Sequence, residues 1–132
     1  VLGDGFRGCP PSVGGVSGQE LGQRGEDLAA AHLTRLGWRL VCRNWRCPRG
    51  EIDIIAVDDQ ALVFCEVKTR AGLGYGDPLE AITYAKVTKL RELASYWLQT
   101  NPVRGAVRFD AIGVVIERGC EPRLSHVRGV TT

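Results

Sequence analysis

The chain has 132 residues, 44% hydrophobic and 24% charged, and its 17 basic and 15 acidic side chains give a formal net charge of +2. That length predicts one domain with a real core; the composition excludes a chain disordered throughout or built of membrane spans, and so small a charge cannot by itself argue for nucleic-acid binding. Cys9, Cys42, Cys47, Cys65 and Cys120 are odd in number and form no C-x-x-C, which fits free thiols in a reducing, cytoplasmic setting.

Residues 1–18 hold six glycines with Pro10 and Pro11 and show no periodicity. They are expected to form a flexible tail before a folded domain over residues 19–132, and they lack the basic-then-apolar pattern of a signal peptide. From Glu20 to Leu36 the pattern turns helical. Leu21, Leu28, Ala29, His32, Leu33 and Leu36 share one face, Gln23, Arg24, Asp27, Thr34 and Arg35 the other, and Gly37 ends the helix. Glu26 sits at the edge of the apolar face, where it either points inward as a carboxylate for the sheet or stays solvated near the positive end of the helix dipole. His32, on the buried side, reads as a packed core histidine.

Trp38 to Trp45 alternates as a first strand, and Arg46-Cys47-Pro48-Arg49-Gly50 forms a turn. Next come two runs rich in β-branched and apolar residues, 50–57 and 61–68, separated by Asp58-Asp59-Gln60. They read as an antiparallel hairpin. Either loop length makes paired positions sum to 119, which sets Asp53 opposite Glu66, with Lys68 on the same face as Glu66.

Two carboxylates about 5 Å apart at an effective dielectric near 20 repel by roughly 3 kcal/mol. Lys68 neutralises one charge but not both, so a cation is expected. Hard oxygen donors without histidine or cysteine suit Mg²⁺ or Mn²⁺ better than zinc, and a lysine beside them is placed to orient an attacking water or lower its pKa for phosphodiester hydrolysis. The alternative is a pair of strand-end surface charges with an incidental salt bridge.

Arg43, Arg46 and Arg49 surround this acidic pair in sequence and suit backbone phosphates, or else are solvated turn charges. Ile55, Val57, Leu62 and Phe64 are assigned to the acidic face of the hairpin, and Ile52, Ile54, Ala56, Val63, Cys65 and Val67 to the other. Strands apolar on both faces are central strands covered by helices, an α/β arrangement. Ala71 to Gly76 is a glycine-spaced loop, expected to be mobile, with no Gly-Lys-Ser/Thr to make it a P-loop. Asp77-Pro78-Leu79-Glu80 then starts a second helix running to about Gln99, with Asp77 as N-cap. Lys86 falls in its apolar stripe and either snorkels to water or reaches the site. Arg108–Ile116 and Arg123–Val127 complete the strands, the long crossover making the fourth parallel to the third.

Gly25-Glu26, Arg43-Asn44, Gly50-Glu51-Ile52-Asp53, Phe64-Cys65-Glu66-Val67-Lys68-Thr69-Arg70, Lys86 and Arg108-Phe109-Asp110 resemble the YraN-type family of uncharacterised bacterial proteins. That family is similar to archaeal Holliday junction resolvases of the restriction-endonuclease-like PD-(D/E)xK group, and the resemblance spans about residues 20–117. It implies a restriction-endonuclease-like mixed sheet, α-β-β-β-α-β-β, with helices on both faces. It further implies Asp53 and Glu66 as metal ligands, Lys68 acting on the attacking water, and Glu26 as an auxiliary acid. The group implies a Mg²⁺-dependent endonuclease, often a homodimer, that cuts branched or otherwise structured DNA. Arg43, Arg46, Arg49, Arg70 and Lys86 are then the expected nucleic-acid contacts. Ile52 replaces the proline that often precedes the aspartate. The competing expectation is a nucleic-acid-binding module that keeps the scaffold without turnover.

Overall fold

The computed structural model describes residue 6 and residues 20–72, 74 and 76–130. Its elements are α1 (Glu20–Arg35), β1 (Arg39–Cys47), β2 (Gly50–Asp58), β3 (Ala61–Arg70), a 3-10 turn (Pro78–Ala81), α2 (Tyr84–Thr100), β4 (Ala106–Val115) and β5 (Arg123–Val127). The five strands form one sheet in the order β1-β2-β3-β4-β5. Only the β3–β4 step is parallel, and α2 lies in that connection. The fold is therefore α/β with a mixed sheet, as the patterning predicts.

The central hairpin is greasy on both sides because each side has its own helix. Ala29, Ala30 and Leu33 of α1 cover Ile54, Ala56, Val63 and Cys65. Leu90, Leu93, Ala94 and Trp97 of α2 cover Ile55, Val57, Leu62 and Phe64. Ile54, Ile55, Leu62 and Phe64 have no exposed surface, and burying each side chain of this kind is worth about 1.5–3 kcal/mol, so β2 and β3 form the rigid floor on which the site stands.

Two close approaches need glycine. A Cβ on Gly25 would lie 1.8 Å from Thr69 Oγ1, so the missing side chain is what lets α1 settle on β3. A Cβ on Gly113 would lie 3.0 Å from Pro78 and 3.1 Å from Leu79, where the 3-10 turn rests on β4.

Four expectations need correction. The second helix does not run unbroken from Asp77: that residue caps only the 3-10 turn, accepting from the Leu79 amide at 2.9 Å. The chain then leaves helical geometry at Ile82 (φ −92, ψ 84), and α2 starts afresh with Thr83 as its N-cap. β1 does not alternate simply, because the register shifts between Leu40 and Cys42, turning Leu40 toward the α1 core and Cys42 toward the α2 core. Ile52, assigned to the face of Ile54, packs with Ile55 and Phe64 instead. The β1–β2 pairing skips the Asn44–Asp53 position, where Asn44 takes φ 54, and the alternation of β2 changes there. Lastly, Leu21 and Leu36 are exposed, and Gly25 and Ala30 complete the buried face of α1. Of the expected tail, Phe6 is the described residue, and its ring packs 5.1 Å from that of Trp97. The rest of residues 1–18 lies outside the described residues, as do Leu73 and Tyr75 of the glycine-spaced loop.

Candidate metal centre

The β2–β3 pairs run from Asp58–Ala61 to Ile54–Cys65 in the expected register. Asp53 and Glu66 are the next positions along it. Here the ladder gives way to a side-chain contact, the Val67 amide donating to Asp53 Oδ2 at 2.8 Å. A carboxylate thus takes over the place of a backbone acceptor, which fixes Asp53 at the end of the hairpin while only 7% of its surface remains exposed.

Two other acids converge on it. Glu26 of α1, Glu51 of β2 and Asp53 each offer a carboxylate oxygen within 4.8 Å of the others. Glu51 escaped the sequence reasoning, and the change in the alternation of β2 at Asp53 removes the two-residue spacing as a guide to its side. Glu26 does point inward, as one of its two expected positions required. Its Oε1 is buried with no hydrogen-bond partner, an unusual condition for a buried carboxylate. Glu66 of β3 stands outside that group and lines, with Glu51, a neighbouring cavity of about 140 Å³ whose other lining residues include Lys86, Lys89, Leu90 and Leu93 of α2.

The charges are poorly compensated. Burial, reinforced by Asp53 and Glu51, pushes the Glu26 carboxyl up to about 7. Burial also raises Asp53 to about 6, against the pull of the Val67 amide, Lys86 and Lys68. Glu66 rises to about 7 through burial and the Asp53 charge, with Lys86 and Lys68 drawing it down. Neither Lys68 nor Lys86 forms a salt bridge with a described residue. Both lysines therefore act on the cluster at a distance; Lys86 is exposed to water while it lines the cavity beside Glu66.

The basic residues around the cluster are engaged in different ways. Arg43 Nη2 meets Asp27 at 2.7 Å, Arg46 Nε meets Glu51 at 2.7 Å, and Arg49 Nη1 meets Glu92 at 2.7 Å while its guanidinium lies over Tyr96. Arg70 is half-buried, with Nε hidden and unpartnered. An all-oxygen set of three carboxylates, Glu26, Glu51 and Asp53, one with a hidden bare oxygen, is compatible with a hard divalent cation.

The model of an uncharacterised protein family, UPF0102, matches residues 25–114. The chain belongs to the UPF0102 family. UPF0102 proteins of Clavibacter michiganensis and Renibacterium salmoninarum are 54% and 52% identical to it, covering 83% and 84% of this chain and 94% and 95% of their own. One from Acidothermus cellulolyticus is 45% identical over 89% of this chain and 98% of its own. The part matched by the UPF0102 model takes in Glu26, Glu51, Asp53, Glu66, Lys68 and Lys86 and ends before β5.

A second polar centre of this UPF0102 chain lies elsewhere in the sheet and was not foreseen. Asp110 is 1% exposed and takes both Nε (2.9 Å) and Nη2 (3.0 Å) of Arg108, the Gly129 amide at 3.0 Å and His126 Nε2 at 2.8 Å. Burial alone would raise its carboxyl, but bonds from His126, Arg108 and Gly129 outweigh that and hold it at about 2. His126 Nδ1 in turn meets His32 Nε2 at 3.1 Å, so His32 is a packed histidine tying α1 to β5. Among the described residues, no helix is long and apolar enough to cross a membrane.

Proposed function

We propose that this chain is a divalent-metal-dependent nuclease that hydrolyses phosphodiesters of DNA, branched or structured DNA being the favoured substrate, with Mg²⁺ or Mn²⁺ as cofactor. The observation that carries the reading is the convergence of Glu26, Glu51 and Asp53 within 4.8 Å beside Glu66, with Lys68 and Lys86 forming no salt bridge with a described residue. A surface that only bound anionic nucleic acid would gain nothing from four carboxylates at its centre.

Asp53 and Glu66 are assigned as the principal metal ligands, with Glu51 and Glu26 completing the oxygen set. When bound, the cation neutralises charge on the phosphodiester and polarises it toward attack. Lys68 follows Glu66 by two residues on β3 and shares its side of the strand. Its ammonium positions the attacking water and offsets negative charge as the phosphorus becomes five-coordinate. Val67, through its amide, holds Asp53 in place. Arg43, Arg46, Arg49, Arg70 and Lys86 are assigned to flanking phosphates, Arg46 and Arg49 exchanging exposed carboxylate partners, which are worth little in water, for the nucleic-acid backbone. A homodimer would let two such sites act on the two strands of a branched substrate.

The test incubates the purified chain with duplex, single-stranded and four-way-junction DNA in Mg²⁺, Mn²⁺ or chelator, beside Asp53→Asn and Lys68→Ala variants. Metal-dependent cleavage that both variants lose is the expected result. Cleavage that survives Asp53→Asn would remove the site assignment, and binding without cleavage on every substrate would favour a module without turnover.

A further inference from the structure

The cavity beside the carboxylates has a wall that hydrolysis itself does not require. On one side it shares Glu51 and Glu66 with the candidate metal centre; on the other it is bounded by Lys86 and Lys89, with Leu90 and Leu93 beneath. The two lysines are three residues apart on α2 and so lie one turn from each other, and the two leucines belong to the buried stripe of the same helix. Cationic groups above an aliphatic floor match a sugar-phosphate, whose anionic and apolar parts are one bond apart.

Gly50, with φ 150, lies at the edge of this space: a Cβ there would stand 3.3 Å from Leu93 Cδ1 and 3.6 Å from Lys89 Cε, so the strand backbone runs close against both side chains. Lys89 is also weakly committed. Glu92 holds Arg49 at 2.7 Å but Lys89 only at 3.9 Å, which leaves that ammonium free to turn toward an incoming anion. Lys86 forms no salt bridge with a described residue.

We propose that this cavity is a subsite for the phosphate next to the one that is cut, gripped by Lys86 and Lys89 with its sugar resting on Leu90 and Leu93. The assignment rests on the nuclease reading of the adjoining carboxylates and adds to it a residue, Lys89, and a direction: the strand leaves the metal centre toward α2. One phosphate is held by both lysines, so the two share a single contact.

The experiment measures binding of a short fluorescein-labelled single-stranded oligodeoxynucleotide by anisotropy across a salt series, with Ca²⁺ in place of Mg²⁺ to permit binding without turnover. The full chain is compared with Lys89→Ala, Lys89→Arg, Lys86→Ala, the double alanine variant and Asp53→Asn. Loss of a charge-assisted phosphate contact predicts roughly tenfold weaker binding for Lys89→Ala. It also predicts a salt slope shallower by about 0.7, the share of one phosphate on a single strand, with the double variant little worse than either single. Lys89→Arg restores both quantities, and Asp53→Asn keeps the slope increment due to Lys89 even where Ca²⁺ no longer helps. Wild-type affinity and slope in Lys89→Ala would overturn the subsite while leaving the metal centre standing. A wild-type chain that binds no oligonucleotide with or without Ca²⁺ would overturn both.

Discussion

Replacing Gly25 by alanine tests whether the approach of α1 to β3 is what sets the site. In the interior of an exposed helix this change stabilises, by up to about 1 kcal/mol, and Gly22, with nothing within 4 Å of its missing Cβ, should behave that way. At Gly25 the new methyl would sit 1.8 Å from Thr69 Oγ1 and 2.8 Å from Thr69 Cβ and Cγ2. Ordinary carbon contacts are about 3.5–4.0 Å, so rotating the threonine does not clear the overlap with its Cβ. Overpacking of this sort costs about 1–3 kcal/mol; taking the upper end against the helix-propensity gain leaves a net loss of about 2 kcal/mol, or roughly 8 °C in Tm for a domain of this size. Because Glu26 follows Gly25 directly, the same displacement should weaken divalent-cation binding. Thermal unfolding and Mn²⁺ titration of Gly22→Ala and Gly25→Ala give the comparison. A Gly25→Ala protein at least as stable as Gly22→Ala, with unchanged cation binding, would refute this account of how the helix is placed.

The raised carboxyls predict an unusual pH response for the metal-free chain. Asp53 titrates near 6 when folded against 3.8 as an ordinary aspartate, so between those values the folded state holds more protons and stability falls as pH rises. For Asp53 alone the loss is about 3 kcal/mol, complete above the folded value, and urea titrations at pH 4.5 and 7.5 should show about 2 kcal/mol of it, with Mg²⁺ recovering part at the higher pH. Asp110 has the opposite sign: held at about 2, it contributes stability above the ordinary aspartate range that is lost as pH falls through 2. Replacing Arg108 by methionine leaves Asp110 buried with His126 and the Gly129 amide as its partners among the described residues; breaking a buried pair in this way costs about 3 kcal/mol, measurable as a lowered urea midpoint with an unchanged m-value.

The parts of the fold that local pattern controls could be read without coordinates. The 3.6-residue stripe marked α1, and the short break at Asp58–Gln60 set the hairpin register, because either loop length pairs positions that sum to 119. The start of α2 was misplaced because Asp77-Pro78 is a genuine capping signal attached to a different element. What makes it a separate turn is Gly113 on β4, which receives Pro78 and Leu79, and that contact is invisible in the local sequence. Ile52 was assigned to the wrong face because the left-handed Asn44 lies across from Asp53 on a neighbouring strand. In the candidate site, Asp53, Glu66 and Lys68 could be argued from register, and Glu26 only as one of two choices. Glu51 lay beyond simple alternation, which changes at Asp53. So did the Asp110 centre, since its partners stand 2, 16 and 19 residues away in sequence, and His126 reaches a histidine 94 residues away.

Calorimetric titration of the metal-free chain with Mn²⁺ at pH 6.5, in two buffers of different ionisation enthalpy, bears most directly on the claim that these carboxylates form a cation site. Saturable binding is predicted, with protons released because Asp53, Glu26 and Glu66 are partly protonated before the ion arrives, and with the signal abolished in Asp53→Asn. Absence of binding at millimolar Mn²⁺, or binding that Asp53→Asn leaves intact, would contradict it.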